Sequence, residues 1–346
     1  ALAALGGAAQ AQTPAAELAQ PPQSAQTWSI ISGSGQHGRS LRWTDAQGVR
    51  WSRESILLRG FVTEIDQQLR FAPDGALVGQ TVRGVTPSGD AGEQFSASAG
   101  RYEFTSPVDR AAGEAAAGSH YASFGGSIDS TIALVDALLA APQRTLNLLP
   151  SGRARLEDLT TQQVSASGET KTLTAYAVLG IGLSPLPIWY EGERFFASAG
   201  FLSWMPAGWE AVAPELNRAQ DAALARRSAS LIGRIAPRAT LPVVFQNVRI
   251  YDAENLAFRD AMTVVVQDGR ISAVSPAASA NVPAQAVVYQ GQGRTLVPGL
   301  WDSHQHYGND DTGPLLLSQG ITSVRDPGNN PESAPARQRR IEQGEI

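Results

Sequence analysis

The 346-residue chain contains no cysteine, a single lysine (Lys171) and four histidines. The first absence excludes thiolate metal sites, disulfides and cysteine nucleophiles. The second leaves one candidate for any chemistry that needs an amine able to shed its proton, because the remaining basic residues are arginines, which stay charged in any environment. Charge of one sign is also lacking. The net charge is −5 and spread along the chain, so nothing points to a nucleic-acid partner. Nor is there a run apolar enough to read as a transmembrane helix. With 42% apolar and 17% charged residues, the chain is expected to be globular and long enough for more than one domain.

What is present is ordered in blocks. The first 27 residues, ALAALGGAAQAQTPAAELAQPPQSAQT, open small and apolar and reach an A-x-A-like pattern at Ala9-Gln10-Ala11. This order predicts the tail of a secretory signal peptide followed by a linker, hence a periplasmic or secreted protein; the alternative is a flexible cytoplasmic tail. Residues 28–206 read as an antiparallel β-rich domain of short alternating runs broken by Asp-Gly, Ser-Gly and Ala-Gly. Pro73-Asp74-Gly75 predicts a hairpin turn. The exception is SIDSTIALVDALLAAP, where Ser127 can cap a helix, Ile128, Ile132, Val135 and Leu139 keep helical spacing, and Pro142 stops it.

Residues 207–240 predict a connector helix with Trp209, Val212, Leu216, Leu224, Leu231 and Ile235 on its buried side, closed by Gly233 and Pro237. Strand-like runs follow over 241–294, around a Gln267-Asp268-Gly269-Arg270 turn. From 295 to 346 a strand, a short helix and the β-branched run Ile321–Val324 predict the start of a βαβ unit.

The histidines divide in the same way. His37 in SGSGQHGRS and His120 in AGSHYASF fall in Gly/Ser-rich stretches and are expected to be exposed or hydrogen-bonding loop residues. SGSGQHG lacks the lysine and the following helix of a phosphate-binding loop. His304 and His306 stand two apart in LVPGLWDSHQHYG. In an extended strand Asp302, His304 and His306 would share one face, where two neutral imidazoles can hold a zinc-like ion at about 2.0–2.1 Å and Asp302 can orient one of them. Asp326 in VRDPG is expected to accept hydrogen bonds in its own turn. The aromatic run PLPIWYEGERFF is expected at the edge of a hydrophobic core.

From Leu241 to about Asn330 the order NVRIYDAENLAFRDAMTVVVQDGRISAV, GRTLVPGLWDSHQH, GITSVRDPG resembles the metal-dependent amidohydrolase superfamily. The resemblance implies a small β-sandwich and then the first strands of a (β/α)8 TIM barrel, with His304 and His306 as metal ligands and Asp302 supporting them. It implies one or two divalent ions, zinc being the expected metal, and hydrolysis of C–N bonds in amide, cyclic amide or peptide-like substrates by metal-activated water. A whole barrel takes about 250 residues. The family's further ligands, a carboxylated lysine, histidines and an aspartate from later strands, have no counterpart here, and Lys171 lies far upstream. The chain is therefore expected to be the N-terminal part of a longer polypeptide, a truncated multidomain α+β and α/β fold with no catalytic residue assignable within it. The missing barrel half would be its first partner. The domain over residues 28–206 resembles the curved sheet and helix of lipoprotein-carrier-like domains. That leaves a second function open, a carrier or binding module for an apolar ligand with an accessory barrel, and a third, an interaction domain. A deep apolar cavity inside the β-rich domain would support the carrier.

Overall fold

The computed structural model describes residues 13–235, 239–328 and 334–346. The signal-like pattern at Ala9-Gln10-Ala11 and the helix-closing Pro237 lie outside the described residues. The chain divides into two compact units, Ala1–Leu224 and Ala225–Ile346.

The first unit opens with a long antiparallel meander: β1 (Gln26–Ser32), β2 (Gly35–Thr44), β3 (Arg50–Leu58), β4 (Phe61–Phe71), β5 (Leu77–Thr86), the short β6 (Gly89–Asp90), β7 (Glu93–Ser98), β8 (Arg101–Thr105) and β9 (Arg110–Glu114). Pro73-Asp74-Gly75 turns β4 into β5 as the dipeptide chemistry predicts. Gly75 has φ 86°, and the Asp74 carboxylate takes the amide of Ala76. A second sheet then runs in sequence order through β10 (His120–Tyr121), β11 (Thr145–Leu149), β12 (Arg153–Ala166), β13 (Glu169–Leu179), β14 (Leu186–Glu191) and β15 (Arg194–Ala197). Next, β16 (Ser203–Pro206) pairs with β1 and completes a ten-stranded first sheet.

Helix α1 (Ile128–Ala140) starts where the sequence places it. The Ser127 hydroxyl accepts the Asp129 amide, and Ala141, restricted by the proline after it, leaves the helix in an extended conformation. One side of α1 packs Ile132, Val135 and Leu138 on Leu156, Tyr176, Ile188 and Tyr190 of the second sheet. Its Ala133 joins Leu69, Phe95, Phe104 and Tyr121 on the other side. The PLPIWYEGERFF run lies deeper than an edge: Trp189 and Tyr190 are fully buried and Phe196 nearly so.

The meeting of α1 with the first sheet is polar. Arg42 Nε and Arg50 Nε bind the two oxygens of Asp129 at 2.7 and 2.8 Å, and Asp129 is completely buried. Gln67 accepts the Ser127 amide at 2.6 Å and donates to Ser130 Oγ at 2.8 Å. Glu93 accepts the amides of Phe124 and Gly125. Glu54 accepts the Ile128 amide and the Trp204 indole, both at 3.2 Å. His120 corrects its expectation. It is 3% exposed, held in β10 by parallel pairing of His120 with Leu148, and burial with Arg50 nearby pushes its pKa down to about 4. His37 stands in β2, and its Nε2 lies 2.7 Å from Ser32 Oγ.

Helix α2 (Ala213–Ile235) begins after a 3-10 turn at Glu210–Val212. Trp209, Val212 and Leu216 are buried as expected, but Leu224 and Leu231 are only half-buried and Ile235 is 54% exposed. Ala223 and Ser228 are the buried positions of the later turns.

The second unit holds a five-stranded mixed sheet of β17 (Val243–Asp252), β18 (Ala257–Gln267), β19 (Arg270–Pro276), β20 (Val287–Gln290) and β21 (Thr295–Leu296). It encloses a small cluster of Val248, Met262 and Val264. Beyond it, β22 (Leu300–Asp302), α3 (Thr312–Ser318) and β23 (Ile321–Val324) form a parallel β-α-β unit, and α4 (Ala334–Gln343) follows. A β-rich unit with a packed helix, a small sheet and the opening of a (β/α)8-like barrel is thus the architecture of the described residues.

Candidate metal centre

The lead-in to β22 depends on a missing side chain. A Cβ on Gly299 would lie 2.1 Å from Thr322 Oγ1, so glycine lets β22 come against β23. The parallel register sets Leu300 beside Ile321 and Asp302 beside Val324. The Arg325 amide donates to Asp302 O at 2.9 Å, and the Gln305 amide to Arg325 O at 3.1 Å.

The extended run expected through His306 stops at Asp302. Its carboxylate takes the His304 amide at 3.0 Å, an Asx turn that ends the strand. His304 and His306 therefore sit on the loop leaving β22 rather than on a strand face. They still converge, their ring centroids 5.2 Å apart and nearly perpendicular. Asp302 thus acts on the His304 backbone, whereas the carboxylate nearest a ring is Asp326, whose Oδ1 is 3.4 Å from His306 Nδ1.

Asp326 does perform the turn role expected of it, accepting the Gly328 amide at 3.0 Å. Its second oxygen takes the Tyr307 amide at 2.8 Å, a link the sequence reading missed. The register would have shown it, since pairing Asp302 with Val324 puts residue 326 level with residue 304. Burial pushes the Asp326 carboxyl up, but the Tyr307 and Gly328 amides and the His306 ring overcome this and hold it below its ordinary value. Gly328 also makes room: a Cβ there would come within 2.6 Å of His306 Cε1. The loop is gripped from α4 as well. Arg337 Nη1 donates to Tyr307 O at 2.7 Å, and Arg340 pairs with Asp310 at 2.8 Å. Burial raises the Asp311 carboxyl, against the pull of Arg227 4.0 Å away.

Two imidazoles beside carboxylates have the donor chemistry of a divalent-ion site. Among the described residues, however, no group of three or more histidine, aspartate or glutamate side chains is arranged to hold an ion. His37 and His120, in the first unit, add nothing to this pair.

No protein-family model matches the chain. In sequence it is 39% identical over 64 residues to the imidazolonepropionase of Ectopseudomonas mendocina (strain ymp), a match covering 18% of this chain and 16% of that protein. Among solved structures it resembles phenylurea hydrolase B (26% identity, TM-score 0.26, 30% of this chain and 28% of that one). It also resembles molinate hydrolase (21% identity, TM-score 0.28, 30% and 27%) and an amidohydrolase (22% identity, TM-score 0.25, 30% and 29%). The chain spans less than a third of the length of each of these proteins. The chain sets a Pro-Gly lead-in, Asp-x-His-x-His and Gly-Ile-Thr-Ser-Val-Arg-Asp in order along a parallel β-α-β, and in this order its second unit resembles the opening of the metal-dependent amidohydrolase-superfamily fold.

Proposed function

We propose that this chain belongs to an exported, metal-dependent hydrolase of C–N bonds in amide, cyclic amide or peptide-like substrates, with His304 and His306 as ligands of a divalent ion, zinc in the first instance. The observation that carries this reading is the convergence of the two rings 5.2 Å apart at the carboxyl end of a parallel strand. In barrels of this kind that end is where reacting groups gather. A bound ion there would lower the pKa of water from about 15.7 towards 7 and polarise a scissile carbonyl. Residues of this loop and its neighbours would do the holding. Asp302 fixes the His304 backbone, Asp326 faces the His306 ring, and Arg337 anchors the carbonyl of Tyr307. Export rests on the small, apolar and then Ala/Gln/Pro-rich start of the sequence.

For the carrier reading, the first unit offers an open groove of about 720 Å³ with a mixed lining, polar at Gln68, Arg70 and Glu103 and apolar at Val78, Phe95 and Phe104. Among the described residues no helix is long and apolar enough to cross a membrane.

The test is made on the protein at its natural length. Metal content and hydrolysis of simple amides and cyclic amides are compared between the parent, His304→Ala and His306→Ala. Each variant is expected to lose bound zinc and to fall more than about tenfold in activity. Unchanged metal and activity in both would overturn the assignment.

A further inference from the structure

We infer that the exit of the second parallel strand, Arg325 to Gly328, is the seat of His306, and that Asp326 is the positioning residue that fixes which ring nitrogen His306 offers to an ion. This rests on the reading of His306 as a ligand and goes beyond it by naming what orients it.

That one turn meets the His306 ring and holds the backbone on either side of it. On one side the Gln305 amide is held by Arg325 O at 3.1 Å, and on the other the Tyr307 amide is held by Asp326 Oδ2 at 2.8 Å. The backbone of His306 is thus pinned before and after the residue. The ring meets the same turn. Asp326 Oδ1 faces Nδ1 at 3.4 Å, and the ring occupies the space a Cβ on Gly328 would fill, 2.6 Å from Cε1 and 2.8 Å from Nδ1. The ring itself is largely exposed, with 66% of its side-chain surface open, so packing from other directions does little to fix it. Asp326, by contrast, is 10% exposed and has both oxygens committed to backbone amides, which makes it the rigid partner of the two.

The chemical consequence follows from the tautomers of imidazole. A carboxylate that accepts from Nδ1–H fixes the proton on that nitrogen and leaves the Nε2 lone pair for an ion. A second acceptor of this kind raises ligand basicity and removes the entropy of ring rotation. Asp302 holds the His304 amide through Oδ1, whereas the carboxylate that stands against the His306 ring is that of Asp326. The two carboxylates therefore divide the work: one ends the strand ahead of the first histidine, and the other orients the second.

The experiment uses the protein at its natural length, metal-free, with 15N-labelled histidine at a pH where imidazole is neutral. His306 is expected as the Nδ1–H tautomer. In Asp326→Asn, which keeps one acceptor oxygen for a backbone amide and sets an NH2 where the other oxygen stood, it is expected as a mixture, and zinc affinity measured against a chromogenic chelator falls about ten- to a hundredfold. Asp326→Glu recovers part of the affinity. Gly328→Ala, which leaves the carboxylate in place and crowds the ring, lowers the affinity as well. A merely structural role for Asp326 would lower thermal stability without moving the tautomer. An Asp326→Asn protein that keeps the tautomer, and an affinity within about twofold of the parent while His306→Ala loses zinc, overturns the seat and leaves the ligand assignment standing. If His306→Ala keeps its zinc, the ligand assignment falls instead, and the tautomer in Asp326→Asn alone decides whether Asp326 orients the ring.

Discussion

The two units spend their polar residues in opposite places. In the first, charged and amide side chains are taken inside. Asp129, Glu54, Gln67, Gln80 and Glu93 are all at most 3% exposed, and hydrogen bonds tie the start of α1 to the strands of the long sheet. In the second, apolar side chains are left outside. Only Val244, Val248, Met262, Val264 and Val265 are buried among its described apolar residues, while Leu300, Trp301, Val297 and Tyr289 are more than half exposed. The difference teaches that the first unit is organised by specificity, each buried polar group requiring one partner in one register. The second is held by backbone pairing and close glycine approaches. Its histidine loop is accordingly fixed by amide and carbonyl bonds rather than by burial of the rings.

The hardest way to break this comparison is Asp129→Ala. It would strand Arg42 without a counter-ion and leave Arg50 with Asp136 alone, and is expected to cost about 3–5 kcal/mol. Chemical denaturation followed by tryptophan fluorescence reads it, since Trp28, Trp189 and Trp209 are buried in the same unit. A cost below about 1 kcal/mol would mean the polar seam is not what organises α1.

Two titrating groups in that seam sharpen the point because their signs oppose. Burial raises Glu54 from 4.5 to about 7. The folded state then holds a proton that the unfolded chain has lost, so this contribution is complete below pH 4.5 and disappears as pH rises to about 7. His120 is lowered from 6.5 to about 4, so its contribution is complete above pH 6.5 and disappears as pH falls towards 4. Each is on the order of 3 kcal/mol, and between pH 4.5 and 6.5 they nearly cancel. Glu54→Gln should gain on the parent as pH rises through that window, and His120→Gln should gain as pH falls. Stability differences that stay flat with pH in either variant would show that the group concerned is solvated.

How much of this the sequence shows follows from the reach of each interaction. Local devices were legible: the Ser127 cap, the Pro-Asp-Gly hairpin, and strand-helix-strand after Thr295, each set within a few residues. The seam was not, because Gln67 finds Ser127 across 60 residues and no periodicity encodes that pairing. His120 was misread for the same reason. Its glycine- and serine-rich neighbours look like a turn, and only the parallel partner Leu148 buries it. In the candidate site the residue types were legible and their geometry was not. Asp302 two places before His304 satisfies the pattern for a shared strand face and equally the pattern for an Asx turn, and the turn prevails. Asp326 reaches the loop only through the β22–β23 register.

The smallest effects test the other half of the comparison, at β22 and its lead-in and with opposite changes of bulk. Gly299→Ala adds a single methyl, yet it drives a Cβ to within 2.1 Å of Thr322, where the parallel pairing leaves no room. About 1–3 kcal/mol of destabilisation is expected, the usual cost of overpacking. Trp301→Ser removes a whole indole two residues on, but 75% of that residue is exposed, so less than about 0.5 kcal/mol should be lost. The ratio is the informative quantity. If the methyl costs several times more than the indole, backbone approach is what holds β22 and presents the histidine loop. If instead Trp301→Ser costs more than about 1 kcal/mol in the protein at its natural length, the indole is covered there by surface outside the described residues, and the contrast between an inward-facing first unit and an outward-facing second one no longer holds at this strand.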